Sequence, residues 1–273
     1  MSAVEFDLDA YLARIELSLA EGFVADIPLL HRLHRAQALS IPFENFDICL
    51  GKPIKLDAQS LQGKLVRQRR GGYCFEVNGL LLLALQALGY EARVLLCRVH
   101  TNGQSTGRTH QICLVKVAGQ DWLLDVGFGS NTPTVPLPLE MGVKTSGFGM
   151  HYRLTKDNEL GYVLSCLTGA DAASQPLYSF DLGHVTSADI ELGNYFTSTS
   201  PESFFTSARV AVLPVTDGQV VLLDDCLKLR RDGKETQLPL ADDVSYLQAL
   251  QEYLGIYLDV DYAELKPLFN SVN

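Results

Sequence analysis

The sequence has no apolar run of the roughly 18 residues that a membrane-spanning helix needs. The longest, around Gly79-Leu80-Leu81-Leu82-Leu83-Ala84-Leu85, is broken by Gln86 and Gly89. The opening residues, Met1-Ser2-Ala3-Val4-Glu5-Phe6-Asp7, lack a basic stretch followed by an apolar one, so no signal peptide is expected. Positive charge is scarce: 22 basic residues stand against 32 acidic ones, a net charge of −10. That disfavours nucleic acid, whose phosphates need basic partners. It leaves room for a small anionic ligand held by a local patch. The six cysteines form no C-x-x-C pair, which leaves a zinc ribbon unsupported. Reduced thiols in the cytoplasm are the default expectation. Internal repeats and low-complexity segments are missing too.

What is present is ordinary globular composition, 47% hydrophobic and 20% charged over 273 residues. That length suits two compact units, or three small ones. The first third reads as helical. Leu8, Tyr11, Leu12, Ile15 and Leu19 fall on one stripe. Pro28 suits the first turn of a second helix, which must end before Pro42. Asp57 caps a third, and a long one runs over 74–88 to Gly89.

Beyond Gly89 the period changes to that of strands, over 91–99, 110–117 and 122–126, with a polar loop at 101–109. The proline- and glycine-bearing stretch 132–149 reads as a loop. Further strands are expected over 151–155, 162–167, 209–215, 220–224 and 226–231. Asp217-Gly218 and Asp232-Gly233 read as hairpin turns. A short helix is expected over 187–195 and another over 243–254. Helices, then strands, then a mixed end make an α+β architecture.

Cys74 follows Arg69-Arg70-Gly71-Gly72-Tyr73 and opens the long helix. Two glycines allow a sharp turn. Unpaired N–H groups and the macrodipole at a helix start favour a thiolate, and Arg69 and Arg70 push the same way. A buried structural cysteine is the competing reading. The other five cysteines read as structural. A nucleophilic thiol needs a base, and the base an orienting partner. His110 opens a strand beside the polar loop, and Asp125 ends the next strand across a hairpin. His31 and His34, with Arg32 and Arg35 on one helix, read as a solvated face. Val126-Gly127-Phe128-Gly129-Ser130 lets a ligand approach the main chain. It lacks the third glycine and following helix of a dinucleotide fingerprint. A thiol hydrolase or transglutaminase-like enzyme, and a non-catalytic binding module, are the rival readings.

Five blocks in order resemble the arylamine N-acetyltransferase family. They are Ile41-Pro42-Phe43-Glu44-Asn45, Arg70-Gly71-Gly72-Tyr73-Cys74-Phe75-Glu76, Arg108-Thr109-His110, Leu124-Asp125-Val126-Gly127-Phe128-Gly129 and Ser198-Thr199-Ser200-Pro201-Glu202-Ser203-Phe204-Phe205. The resemblance implies an N-terminal helical bundle (1–89) carrying the nucleophile, a central β-barrel-like domain (90–205) carrying histidine and aspartate, and a C-terminal α/β lid (206–273). The catalytic core would be cysteine-protease-like. It implies the triad Cys74, His110 and Asp125, with acetyl-coenzyme A as co-substrate and no metal. Thr106, Thr109, His110, Gly127 and Gly129 would lie along the coenzyme. Phe43, Phe128 and Phe205 would wall the pocket for an aromatic amine or hydrazine, with plain core packing the competing reading for Phe43 and Phe205. Glu44 and Arg70 would tie the cysteine loop to the upstream segment. Arg67, Arg69 and Arg70 remain open between phosphate binding and solvated helix-end charges. The expected partners are coenzyme A and a small aromatic acceptor, with no nucleic acid and no membrane, in the cytoplasm.

Overall fold

The computed structural model of the chain describes residues 6–101, 103–147, 150–168, 173–240 and 242–269. The most N-terminal residues of the leader reading, residue 102 of the polar loop and residues 148–149 of the predicted loop lie outside them. Among the described residues no helix is long and apolar enough to cross a membrane.

The helical third begins with α1 (Leu8–Arg14) and α2 (Ile27–Ser40). Asp7 and Asp26 cap them, accepting the N–H groups of Ala10 and Leu29 at 3.0 and 2.8 Å. Ile41 is extended, as a residue before proline should be. Then come β1 (Phe43–Glu44), α3 (Phe46–Cys49) and α4 (Ala58–Leu61), which runs on into a π-helical turn, Gln62–Arg67. The long helix α5 (Cys74–Ala87) is buried along most of its length, from Cys74, Val77 and Asn78 to Leu81, Ala84 and Leu85.

Next come β2 (Glu91–Thr101), β3 (Gln104–Val117), β4 (Gln120–Leu124), β5 (Leu137–Pro138), β6 (Lys144–Gly147), β7 (Met150–Asp157), β8 (Gly161–Thr168) and β9 (Ala173–Phe180). They form one antiparallel, eight-stranded sheet in the order β5-β4-β3-β2-β9-β8-β7-β6. Side chains alternate between its faces. Cys113, Val115 and Leu124 pack on α2 and α5 in one core. Leu95, Cys97, Ile112 and Leu114 point the other way, meeting Tyr152, Leu154, Leu164 and Tyr178 from the far strands in a second core. The sheet therefore curls around its own apolar interior, which gives the barrel-like middle of an α+β fold.

After α6 (Ser187–Thr199) and α7 (Phe204–Ser207), four strands β10 (Val210–Val215), β11 (Gly218–Leu223), β12 (Cys226–Arg231) and β13 (Lys234–Pro239) make a second sheet. Its edge strand is β1, paired to β10 with Phe43 opposite Val212. Helix α8 (Asp243–Leu254) covers it through Tyr246, Leu250 and Leu254.

Several expectations change. The polar loop 101–109 is mostly strand: β2 and β3 run nearly to the hairpin tip, so His110 lies inside a strand rather than at its start. The predicted loop 132–149 contains β5 and β6. His34 is not on a solvated face. It is fully buried, and its Nε2 lies 2.8 Å from the Pro133 carbonyl. Burial pushes its pKa down to about 4, more than that hydrogen bond restores. His31 is partly exposed and stacks edge-on against Trp122 at 5.4 Å.

Candidate active site

The loop before Cys74 is forced into glycine by contact. A Cβ on Gly71 would lie 2.2 Å from the Pro42 carbonyl oxygen, and one on Gly72 would lie 2.8 Å from the Glu76 carboxylate. With those side chains missing, Gly72 bridges to Phe43 in parallel: Gly72 N–H donates to Pro42 O at 3.2 Å and Glu44 N–H to Gly72 O at 3.0 Å. Helix α5 then starts at Cys74 itself. No side chain of the Ser, Thr, Asp or Asn kind caps it. Instead Glu76 reaches back to accept the Tyr73 N–H at 3.1 Å.

Cys74, His110 and Asp125 come together, each no more than 3% exposed. Cys74 is at the first position of α5, His110 on β3, and Asp125 just past the end of β4. His110 Nε2 lies 2.8 Å from Asp125 Oδ2. The Cys74 sulfur is near enough to the same imidazole to act on its charge. With Nε2 occupied, Nδ1 is the ring nitrogen left to face the sulfur. The thiol also lies 3.8 Å from the Thr109 carbonyl.

The electrostatics follow from burial and pairing. Burial alone would pull the His110 pKa down. The adjacent Asp125 carboxylate and the nearby sulfur outweigh it and raise it to about 10. Burial would raise the Asp125 pKa, but His110, the Gly127 N–H and the Asn78 amide together hold it below the ordinary carboxylate value. The imidazole is thus held in its protonated form beside the Cys74 sulfur.

Asn78 is the residue that sequence reasoning missed. Its Nδ2 donates to Asp125 Oδ1 at 3.0 Å and to the Gln111 carbonyl at 2.7 Å, and its Oδ1 accepts the Val126 N–H at 3.0 Å. The available signal was its place four residues after Cys74, on the same face of the helix. Tyr178 was missed as well. Its ring packs 5.2 Å from the His110 ring and 5.0 Å from the Phe128 ring.

The other predicted residues divide. Phe128 covers the His110 ring at 4.9 Å. Phe43 and Phe205 meet at 5.6 Å with tilted rings, and Tyr73 lies 6.0 Å from Phe205. Thr106 and Thr109 share a hydroxyl–hydroxyl contact of 2.9 Å at the exposed end of β3. Gly127 packs on α5: a Cβ there would lie 2.4 Å from Val77 and 3.3 Å from the Cys74 Cα. Gly129, in the left-handed region at φ 63°, meets open space. It lines a cavity of about 450 Å³ with Thr132, Thr134, Met150, Gln219 and Arg230, which touches none of Cys74, His110 and Asp125.

Glu44 and Arg70 form a buried ion pair at 2.7 Å. Arg70 also meets Asp47 at 3.3 Å. Its charge is therefore matched by two carboxylates. Among the described residues no group of three or more His, Cys, Asp or Glu is placed to hold a metal ion.

A family profile described as N-acetyltransferase matches residues 26–263. The chain belongs to the arylamine N-acetyltransferase family. It is 35% identical over 259 residues to the arylamine N-acetyltransferase of Mycolicibacterium smegmatis, covering 92% of each chain. It is 33% identical over 253 residues to the arylamine N-acetyltransferase / N-hydroxyarylamine O-acetyltransferase of Salmonella typhimurium, covering 91% of this chain and 88% of that one. The structure of Mycobacterium marinum arylamine N-acetyltransferase in complex with CoA superposes with a TM-score of 0.87 at 33% identity, over 95% of this chain and 97% of that one. The family's fold is thus present over nearly the whole chain, and the clustered thiol, imidazole and carboxylate lie within the matched region.

Proposed function

We propose that the chain transfers an acetyl group from acetyl-CoA to the nitrogen of arylamines or arylhydrazines, or to the oxygen of arylhydroxylamines, by a ping-pong route through an acetylated Cys74. The observation that carries this reading is the buried cluster of Cys74, His110 and Asp125 at the start of α5, with His110 Nε2 2.8 Å from Asp125 Oδ2. Family membership and the CoA complex of the M. marinum protein support the donor.

In this reading the Cys74 thiolate attacks the thioester carbonyl. The carbon–sulfur bond to coenzyme A breaks, and the leaving thiolate takes the proton from the His110 imidazolium. Asp125 holds the imidazole tautomer and stabilises its charged form. The acceptor nitrogen then attacks the acetyl-cysteine and gives its proton to His110, and the bond to Cys74 sulfur breaks. Backbone N–H groups at the open end of α5 are suited to hold the oxyanion. A weakly basic arylamine is neutral at pH 7 and suits the aromatic wall of Phe43, Phe128 and Phe205. Thr106, Thr109 and Gly129 are assigned to the donor side, and Gly127 acts by letting the strand end approach α5. The same reading keeps the division at residues 89 and 205. Six cysteines without disulfides support a reducing, cytoplasmic setting.

Mass spectrometry after mixing with acetyl-CoA tests the proposal. One added acetyl group on Cys74, discharged by an arylamine, is expected. Absence of that adduct, or full transfer by Cys74→Ser, overturns it. Release of ammonia from a glutamine peptide would favour the transglutaminase-like rival.

A further inference from the structure

Five charged side chains meet beneath the first turn of α5. Lys64 Nζ lies 2.8 Å from Glu76 Oε1 and 2.8 Å from Asp47 Oδ2. Arg70 pairs with Glu44 and Asp47 in the same cluster. Lys64 turns inward because the chain there is π-wound. The Gln68 N–H reaches back five residues to Gly63 O at 3.0 Å, and the Lys64 carbonyl accepts the Arg70 N–H at 3.1 Å. Single π turns of this kind are frequent at functional sites.

Glu76 links the cluster to the nucleophile. One of its oxygens takes Lys64 and the other takes the Tyr73 N–H, at 3.1 Å. Gly72 lies directly against that second oxygen. The carboxylate therefore forms the floor of the loop, and a shift in it moves Tyr73 and Cys74 together. The charged groups that face it are Lys64, Glu44 and Asp47. Burial pushes the Glu76 pKa up, Lys64 pulls it down, and Glu44 and Asp47 push it up again. Lys64 is the cation in contact with it.

We propose that Lys64 is a positioning residue for the nucleophile: its ammonium holds the Glu76 carboxylate against the Tyr73 N–H and so fixes the turn from which Cys74 projects. The inference rests on Cys74 being the nucleophile. Stability alone does not call for this pair, because a buried ion pair can often be replaced by neutral groups of similar volume without loss. Its value lies in orientation. Without Lys64, Glu76 carries a charge that faces two other carboxylates, and a neutral residue at position 76 removes that conflict.

The test compares wild type, Lys64→Met, Lys64→Arg and the double variant Lys64→Met/Glu76→Gln. The readouts are the rate of Cys74 acetylation, KM for acetyl-CoA and the rate of Cys74 alkylation by iodoacetamide. A displacement of the sulfur by a fraction of an ångström should slow both rates about tenfold or more in Lys64→Met, with KM unchanged. Lys64→Arg should restore them, and the double variant should recover most of the loss. Unchanged rates in Lys64→Met, or a double variant slower than Lys64→Met, overturn the proposal. If Lys64→Met does not fold, the other two variants decide: fast rates in both support it, and a folded but slow double variant overturns it. Rapid alkylation of wild-type Cys74 without acetylation would sink the acetyl-transfer reading while leaving this one to the alkylation rates.

Discussion

Asn78 Nδ2 lies 3.0 Å from Asp125 Oδ1, and Asn78 sits four residues, about one turn, after Cys74 on the same helix. One helix thus carries both the thiol and the amide that holds the carboxylate orienting the imidazole. The geometry of the thiol, imidazole and carboxylate is set by α5 at two points rather than one. The Val126 N–H, donating to Asn78 Oδ1, fastens the strand end to the same residue.

Replacing Asn78 by alanine removes three hydrogen bonds and leaves an Asp125 oxygen short of a donor. The expected loss of stability is about 1–3 kcal/mol, the cost of leaving a buried polar group unsatisfied. The expected fall in turnover is on the order of 10- to 100-fold, as for other groups that orient a reacting ligand, with KM for acetyl-CoA unchanged. Steady-state kinetics and urea unfolding check this. Near-normal turnover would mean that His110 and Gly127 alone orient Asp125.

Gly127 has no room for a side chain. A Cβ would press on Val77 at 2.4 Å and approach the Cys74 Cα at 3.3 Å. Gly127→Ala should therefore destabilise the fold by about 1–3 kcal/mol through overpacking. It should also slow Cys74 alkylation, because the added methyl pushes α5 away from the strand end. Thermal unfolding together with alkylation rates tests both, and an unperturbed alkylation rate would show that α5 absorbs the strain elsewhere.

The parts legible in the sequence were those written locally. Helix α8 and the Asp232-Gly233 turn follow from apolar spacing and turn chemistry, and both appear where expected. Cys74 at a helix start and the His110–Asp125 hairpin relation were readable for the same reason. What was missed depends on distant chain. Strand β9 carries Pro176 and a register shift where it pairs with β8, which breaks the alternation that marks a strand. Asn78 reads as a polar interruption in an apolar helix until Asp125 is brought against it. The Lys64–Glu76 contact needs the π turn, and no periodic pattern announces one. His34 looked solvated beside Arg32 and Arg35, because burial of that face depends on the loop at Pro133.

Arg70 and Glu44 join the loop before Cys74 to β1, the edge strand of the second sheet. Removing the cation with Arg70→Met strands a buried carboxylate and should cost about 3–5 kcal/mol. Arg70→Lys should recover only part, since a single ammonium cannot reproduce the forked contact with Glu44 and Asp47. Denaturant midpoints of the two variants measure this. A loss under about 1 kcal/mol in Arg70→Met would mean that the pair behaves like a surface one.

The His110–Asp125 pair makes stability depend on pH in a direction that can be worked out. The His110 pKa rises from its ordinary 6.5 to about 10 in the folded protein. A protonated His110 therefore stabilises the fold fully below about pH 6.5, and the contribution fades as pH climbs to about 10. Asp125, held below its ordinary 3.8, contributes above that value and loses its effect as pH falls through its folded pKa. The difference in unfolding free energy between wild type and His110→Gln should accordingly be largest near pH 5–6 and shrink steadily up to pH 10. Chemical denaturation of both proteins across that range measures it. A gap that stays constant or widens between pH 6.5 and 10 would show that the imidazole is neutral at rest.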